Sequence, residues 1–303
     1  MSIETIIVKS TEPVRLDRYL KRLYPSITQG IIESYVRKGK IKVNKKKAKS
    51  SDRVKVQDEI TISKGILDGY KVYSDNTNFS ESVVILSKKI LSDYLLFASK
   101  ELIAINKPSG LAVQGGSKIS LSIDDALAYL NQTRQADYKL VHRLDKETSG
   151  ILIIATGHDS AIRLGKAFKD KLIKKTYIAL LCGKPSANEG VISNIIGKEK
   201  SGAYEVVREQ ESGKYAETFY KVLDNNHQFS LVEFKPTTGR THQLRVHSKI
   251  LGCPIVGDKK YGGVDYSRML LHAKELMIPA EVFGHKVSIS SKLPEEFSLD
   301  LRL

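Results

Sequence analysis

The segment Leu140-Val141-His142-Arg143-Leu144-Asp145-Lys146-Glu147-Thr148-Ser149-Gly150 sets one carboxylate, Asp145, in a loop just ahead of an apolar run, Ile151–Ala155. Thr148, Ser149 and Gly150 are small enough to admit a ligand close to the backbone. A carboxylate in that setting is compatible with a nucleophile, a general base or a metal ligand, and equally with an ordinary turn residue. A buried carboxylate keeps its charge best beside a guanidinium, and Gly239-Arg240-Thr241-His242-Gln243-Leu244-Arg245 supplies two, Arg240 and Arg245. Phosphate contact is the competing reading for both arginines. Tyr177 sits in an alternating run, where a tyrosine is usually core. His242 and His247 are five apart and His272 lies further on, which is not the i, i+4 spacing of a helical zinc pair. They are expected to be hydrogen-bonding histidines, with no metal site. Cys182 and Cys253 lack CxxC spacing, so neither zinc nor a disulfide framework is indicated, and a reducing cytoplasm is expected.

Strands with a few helices must position these residues. Leu102–Ile105 and Gly150–Ala155 read as short buried strands, with a helix over about 160–171 and a strand over 174–181. Glu217–Val222 and Phe229–Phe234 read as an antiparallel pair around Asn225-Asn226, and a helix starts near Thr241 and stops at Gly252. Few βαβ units appear, so the expected fold class for residues 93–303 is α+β, a mixed, largely antiparallel sheet with peripheral helices.

Residues 1–64 form a different unit. They hold 16 Lys and Arg against 7 Asp and Glu, well over half of the net charge of +15 on the 303-residue chain. Val14, Leu16, Tyr19, Leu20 and Leu23 recur at helical spacing, closed by Pro25. Ser26–Gln29 fits a capping box for a second helix that ends at Gly39. Short alternating stretches follow at 41–43 and 54–56, with a turn at Asn44-Lys45. Two helices and a basic hairpin can line up Arg37, Lys38, Lys40, Lys42, Lys45, Lys46 and Lys47 along a phosphate track. Residues 65–92, polar and rich in Gly, Ser and Asn at first, read as a linker carrying at most one short element.

Longer matches narrow these options. The stretch from Arg15 to Lys46 resembles the αL RNA-binding module. HRLDKETSG (142–150) resembles the signature of the RluA-type pseudouridine synthases, and NKPSGLAVQGG (106–116), KKTYIALLCG (174–183), the block 237–262 and RMLLHAKEL (268–276) follow in that family's order. The nearest likeness is to the RluC branch, which acts on large-subunit ribosomal RNA. The resemblance implies a pseudouridine synthase-type catalytic domain that isomerises specific uridines without metal or cofactor. It makes Asp145 the nucleophile, with Arg245 its ionising partner and Tyr177 the residue that stacks on the uracil. It also implies that Arg143 fills the space left by a flipped-out uridine, that Leu144 shapes the pocket wall, and that Arg240 binds substrate. One departure is Gln114, where family members often carry His.

The charge excludes few classes alone but favours a polyanionic partner. No run approaches the roughly 18 apolar residues of a membrane span, and the acidic residues near the N-terminus do not suit a signal peptide. The expected partner is therefore structured RNA, most of all large-subunit ribosomal RNA, bound by a monomer. Transfer RNA is the alternative substrate. A non-catalytic RNA-binding ribosome-assembly factor is the alternative class, although such a protein would be free to lose Asp145, Tyr177 or Arg245. A DNA-binding regulator explains none of the catalytic blocks.

Overall fold

The computed structural model describes residues 3–10, 13–24, 27–63, 79–115, 119–201 and 204–299. The chain divides into two compact units, Met1–Phe79 and Ser80–Leu303.

In the first unit, strand β1 (Ile3–Ile7) and the two-residue β2 (Val14–Arg15) precede helices α1 (Leu16–Leu23) and α2 (Gln29–Arg37). Strands β3 (Ile41–Val43), β4 (Lys46–Lys47), β5 (Arg53–Val54) and β6 (Glu59–Ser63) follow. The order β1-β6-β3-β4 makes one small sheet, and β2 pairs β5 separately. Of the stretch expected as a strand at 54–56, only Val54 lies in one. Leu16, Leu20 and Tyr24 bury one stripe of α1 against Ile32 and Val36 of α2 and against Ile41, Val54 and Ile60. Helix α2 is capped by Thr28, whose hydroxyl accepts from the Ile31 amide at 3.4 Å. Ser26, the expected cap, lies outside the described residues; Gln29 donates to Asp17 and Glu33. Gly39 ends the helix at φ 68°.

The second unit starts earlier than residue 93. Helix α3 (Glu81–Leu91) packs within it, while residues 65–78 of the expected linker lie outside the described set. Next come β7 (Leu95–Ala98), β8 (Leu102–Lys107), α4 (Ile123–Arg134), β9 (Tyr138–Leu140), β10 (Ser149–Thr156) and α5 (His158–Lys169). The chain continues through β11 (Lys174–Cys182), β12 (Glu189–Ser201), β13 (Tyr204–Glu209), β14 (Lys214–Asn225), β15 (Phe229–Pro236) and α6 (Gln243–Ile250). It closes with β16 (Leu271–Ile278), α7 (Ala280–Phe283) and β17 (Val287–Ser290).

These strands form an eleven-stranded sheet, ordered β13-β12-β14-β15-β11-β16-β10-β8-β7, with β17 beside β16 and β9 beside β10. Among the described residues its ladders are antiparallel except β10 with β16, so the expected mixed, largely antiparallel architecture is observed. Strand β10 is covered on both faces, which explains its unbroken apolar run. Leu152 and Ile154 pack under α3 and α4, whereas Ile151, Ile153 and Ala155 pack against Leu164 of α5 and Ile289 of β17. Helix α4 is held at its start by a reciprocal cap between Ser122 and Asp125. No described helix is long and apolar enough to cross a membrane.

Candidate active site

The loop that carries Asp145 lies between β9 and β10, the two strands that pair antiparallel next to it. It is clamped from the 106–116 block. Lys107, fully buried at the end of β8, donates from Nζ to the carbonyls of Pro108 (2.8 Å), Leu111 (2.9 Å) and Lys146 (2.9 Å). The Gly110 amide also binds the Lys146 carbonyl, and Ser109 Oγ binds that of Glu147 at 2.7 Å. Burial pulls the Lys107 amine down to about 7, opposed by the charges of Glu147 and Asp145. Three carbonyl acceptors match the three donors of an ammonium group. Sequence reasoning gives Lys107 no role; the available signal is a lysine closing an otherwise apolar strand.

Asp145 projects into a cavity of about 1150 Å³, with its side chain 21% exposed. Tyr177, Leu144, Arg143, Arg240, His242 and Arg245 line the same cavity, so every residue expected at the catalytic centre meets there. Leu144 is buried and Arg143 is exposed at the cavity's edge. Burial, reinforced by the Asp145 charge, pushes the Tyr177 phenol well above its ordinary value, so it is un-ionised at neutral pH.

The partnership of Arg245 differs from expectation. Its Nε and Nη2 donate to the two oxygens of Asp258 at 2.7 and 2.6 Å, a bidentate pair, and its guanidinium lies 4.9 Å from the Tyr261 ring centre. Burial opposes the charge on Arg245, and the Asp258 hydrogen bonds overcome that, leaving its pKa raised; Asp145 adds a through-space attraction without a hydrogen bond. The physical reason is position. Asp258 is fully buried and also accepts from the Lys260 and Tyr261 amides, so it outcompetes a partly solvated carboxylate for the fork.

The side chain facing Asp145 most directly is His242, whose Nε2 is 3.9 Å from Oδ2. It stands in a left-handed conformation (φ 54°) at the start of α6. His242 Nδ1 is 2.8 Å from the Tyr261 hydroxyl, which itself accepts from the Val207 amide. A hydroxyl that accepts from Val207 can donate to Nδ1, and in that arrangement the imidazole proton stands on Nε2, toward Asp145. Burial pushes His242 down to about 4 despite the opposite pull of Asp145, so the ring is neutral at pH 7.

The loop before α6 is fixed by Gln243. Its side chain accepts from the Arg240 amide and the Thr238 hydroxyl and donates to the Glu217 carbonyl and Thr218 Oγ1. Arg240 Nε in turn donates to the Tyr215 carbonyl at 3.0 Å.

Of the small residues after Asp145, Thr148 lines the cavity as expected, whereas Ser149 and Gly150 are taken up by packing. Ser149 Oγ bonds His272 Nδ1 and Arg268, and Gly150 packs on Ala273. His142 Nε2 accepts from the Ile153 amide and its ring stacks on Phe168. His247 bonds Thr218. Among the described residues no group of three His, Cys, Asp or Glu side chains could hold a metal ion.

In the first unit, Arg37, Lys38, Lys40, Lys42, Lys45, Lys46 and Lys47 are all exposed. Lys42 faces Lys47 directly across the β3–β4 ladder, and the turn between them runs through Asn44 (φ 49°) and Lys45 (φ 64°). Like charges set opposite one another cost stability.

Residues 101–249 match the family model for RNA pseudouridylate synthase, and residues 14–60 match the S4 domain. The ribosomal large subunit pseudouridine synthase C of Rickettsia typhi is 46% identical over 302 residues, covering 97% of this chain and 98% of the relative. The enzyme of the same name from Rickettsia conorii is 48% identical over 303 residues, with 97% and 99% covered. That of Buchnera aphidicola is 32% identical, with 93% and 91% covered. Among solved structures, human RNA pseudouridylate synthase domain containing 4 superposes with a TM-score of 0.60 at 31% identity, over 71% of this chain and 94% of that one.

Proposed function

From the premise that the chain belongs to the RNA pseudouridylate synthase family, and so is an enzyme that isomerises uridine to pseudouridine, we propose that its substrate is large-subunit ribosomal RNA and its nucleophile Asp145. One observation carries the assignment of Asp145. It is the carboxylate that reaches the cavity between Tyr177 and His242, on a loop whose carbonyls are tied down by Lys107, Ser109 and Gly110. The ribosomal substrate is supported by the names of near full-length relatives and by the S4 domain.

The chemistry follows from the placement. A stacked uridine cannot reach a recessed carboxylate, so it is turned out of the RNA at a cost of a few kcal/mol. Arg143, exposed beside Asp145, fills the vacated space and stacks on the neighbouring bases. Asp145 then takes up the anomeric carbon, or assists elimination to a glycal, as the bond to uracil nitrogen breaks. The un-ionised Tyr177 covers the detached uracil while it turns; C5 then bonds the anomeric carbon as the Asp145 oxygen leaves it, or adds to the glycal double bond as C2′ regains its proton, and the proton lost from C5 balances the one that N1 takes up. His242 Nε2–H steadies the carboxylate, and Arg245, fixed by Asp258, supplies a positive field without being spent on an ion pair with Asp145.

The test is carbodiimide-based mapping of pseudouridine in total RNA from cells lacking the gene, complemented with the wild-type or the Asp145→Asn gene. Sites in large-subunit RNA are expected to vanish on deletion and return only with wild type, while purified Asp145→Asn still binds that RNA. Sites lost from transfer RNA instead would overturn the substrate assignment. Restoration by Asp145→Asn would overturn the nucleophile.

A further inference from the structure

Strands β12 and β14 carry an apolar strip on one face. Val191 faces Phe219 and Ile195 faces Tyr215 across the ladder. The four are 52%, 47%, 41% and 50% exposed respectively. Single exposed apolar residues need no explanation, but two facing pairs that include two aromatic rings make a patch. Residues directly opposite in a sheet share a face, so the row extends to Lys235 on β15. Phe219 faces Lys235 on β15, whose neighbour Phe234 pairs Tyr177 on β11. Beside them Thr176 faces Glu275 on β16, which faces Ser290 on β17. Phe219, Lys235, Thr176, Glu275 and Ser290 all line the cavity that holds Asp145. The outer patch therefore reaches the cavity at Phe219, and the two form one surface there.

Its charge is chiefly positive. Lys169, Lys171, Lys174, Lys235, Arg240 and Lys286 line the cavity against two acids, Asp145 and Glu275. Arg240 is pinned to the aromatic strand through the Tyr215 carbonyl. Glu217 lies between the two rings on the same face, but its carboxylate is engaged by the Tyr215 hydroxyl and by Thr237. Lys235 pairs with Glu233 at 2.6 Å, and because Lys235 is more than half exposed the pair is worth little, so exchange for a phosphate is easy.

We propose that this face is a stacking platform for unpaired nucleotides of the substrate RNA flanking the target uridine. Phe219 takes a base beside the cavity mouth and Tyr215 one further out, while Lys235 and Arg240 hold the connecting phosphates. Four residues along a strand separate the rings by about 13 Å, so each serves its own base. Every base has a π-face, and nucleotides next to a flipped residue have lost a stacking partner. The cationic surround favours a polyanion over an apolar protein surface. The inference rests on the reading that RNA occupies the cavity.

The experiment is steady-state kinetics on deproteinised large-subunit RNA from cells lacking the gene, run in parallel with ribosomal particles from the same cells. Phe219→Ala is expected to raise KM on bare RNA on the order of tenfold, with kcat changed by less than about twofold. Tyr215→Ala should raise KM less, and Phe219→Trp should restore it. With 5-iodouridine placed at the nucleotides on either side of a mapped site, irradiation of the wild-type complex should crosslink to Phe219 or Tyr215, a readout that needs no variant to fold. An unchanged KM with crosslinks elsewhere would refute the platform. A KM effect confined to particles would show that the face meets a ribosomal protein, which also refutes it. Wild type that makes no pseudouridine in either preparation would remove the RNA reading itself, a result distinct from an active enzyme indifferent to Phe219.

Discussion

With Asp145 as the proposed nucleophile, Asp145 and Asp258 divide two tasks that a single carboxylate performs poorly. A nucleophile must be accessible and free of strong donors, whereas a counter-ion that keeps an arginine buried must be saturated with them. Asp258 takes both forks of Arg245 and two backbone amides, and Asp145 keeps its oxygens toward the cavity. Asp258→Ala would strand a buried guanidinium, at a cost of about 3–5 kcal/mol. Urea unfolding should show that loss as a lower midpoint, with kcat reduced as well, whereas an unchanged midpoint would mean that Arg245 finds another partner.

The buried histidines give a second residue-scale expectation. Burial lowers His142 to about 3 and His247 and His272 to about 4, below the ordinary value near 6.5 they regain on unfolding. Between roughly pH 6.5 and pH 4 the unfolded chain therefore binds protons that the folded one does not. Stability is present above that window and falls as the pH drops through it, by at most about 1.4 kcal/mol per pH unit for each histidine. Thermal melts from pH 7 to 4.5 should show the decline, and His272→Gln should make its slope shallower.

At the scale of elements, the parallel contact of β10 with β16 carries the site. It places the end of the Asp145 loop beside the strand that Tyr177 also pairs, because Ala273 is opposite both Gly150 and Tyr177. Gly150 has φ 104°, and a Cβ there would stand 2.3 Å from the Ala273 carbonyl oxygen. Gly150→Ala should thus force the strands apart, costing at least about 2 kcal/mol and most of the activity, measured together by urea midpoint and pseudouridine yield. Much of this level is legible in the sequence. The apolar runs at 102–105 and 150–155, the 217–222/229–234 pair and the helix ahead of Gly252 are all present, because periodicity and turn residues are local signals. Helices α3 and α4 and strands β12, β13, β16 and β17 do not declare themselves that way. Gly190, Gly197 and many charged residues interrupt the pattern of β12, and the weakly amphipathic α4 is fixed by its Ser122–Asp125 cap and by packing. The Arg245–Asp258 pair is illegible for another reason: spacing shows which charges exist, and only the fold decides which meet.

For the molecule as a whole, positive charge is placed in two ways. In the second unit it lines the cavity that holds Asp145, the proposed seat of a single nucleotide. In the first it lies on exposed helix-end and hairpin residues, and Lys42 and Lys47 oppose each other directly at a cost to the ladder. Such an arrangement suits a phosphate track, where bound RNA relieves the repulsion and releases counter-ions in proportion to the phosphates neutralised. Replacing Lys42, Lys45, Lys46 and Lys47 by Ala together should leave the fold intact and, by removing repulsion, slightly raise its thermal midpoint. It should weaken binding to deproteinised large-subunit RNA and reduce the magnitude of the slope of log K against log salt by about 0.7–0.9 for each phosphate no longer neutralised. The turnover number at saturating RNA should hold, since none of these residues lies in the cavity that contains Asp145. Filter binding between 50 and 200 mM salt gives the slope, and a slope equal to wild type would remove the hairpin from the RNA contact and leave affinity to the second unit.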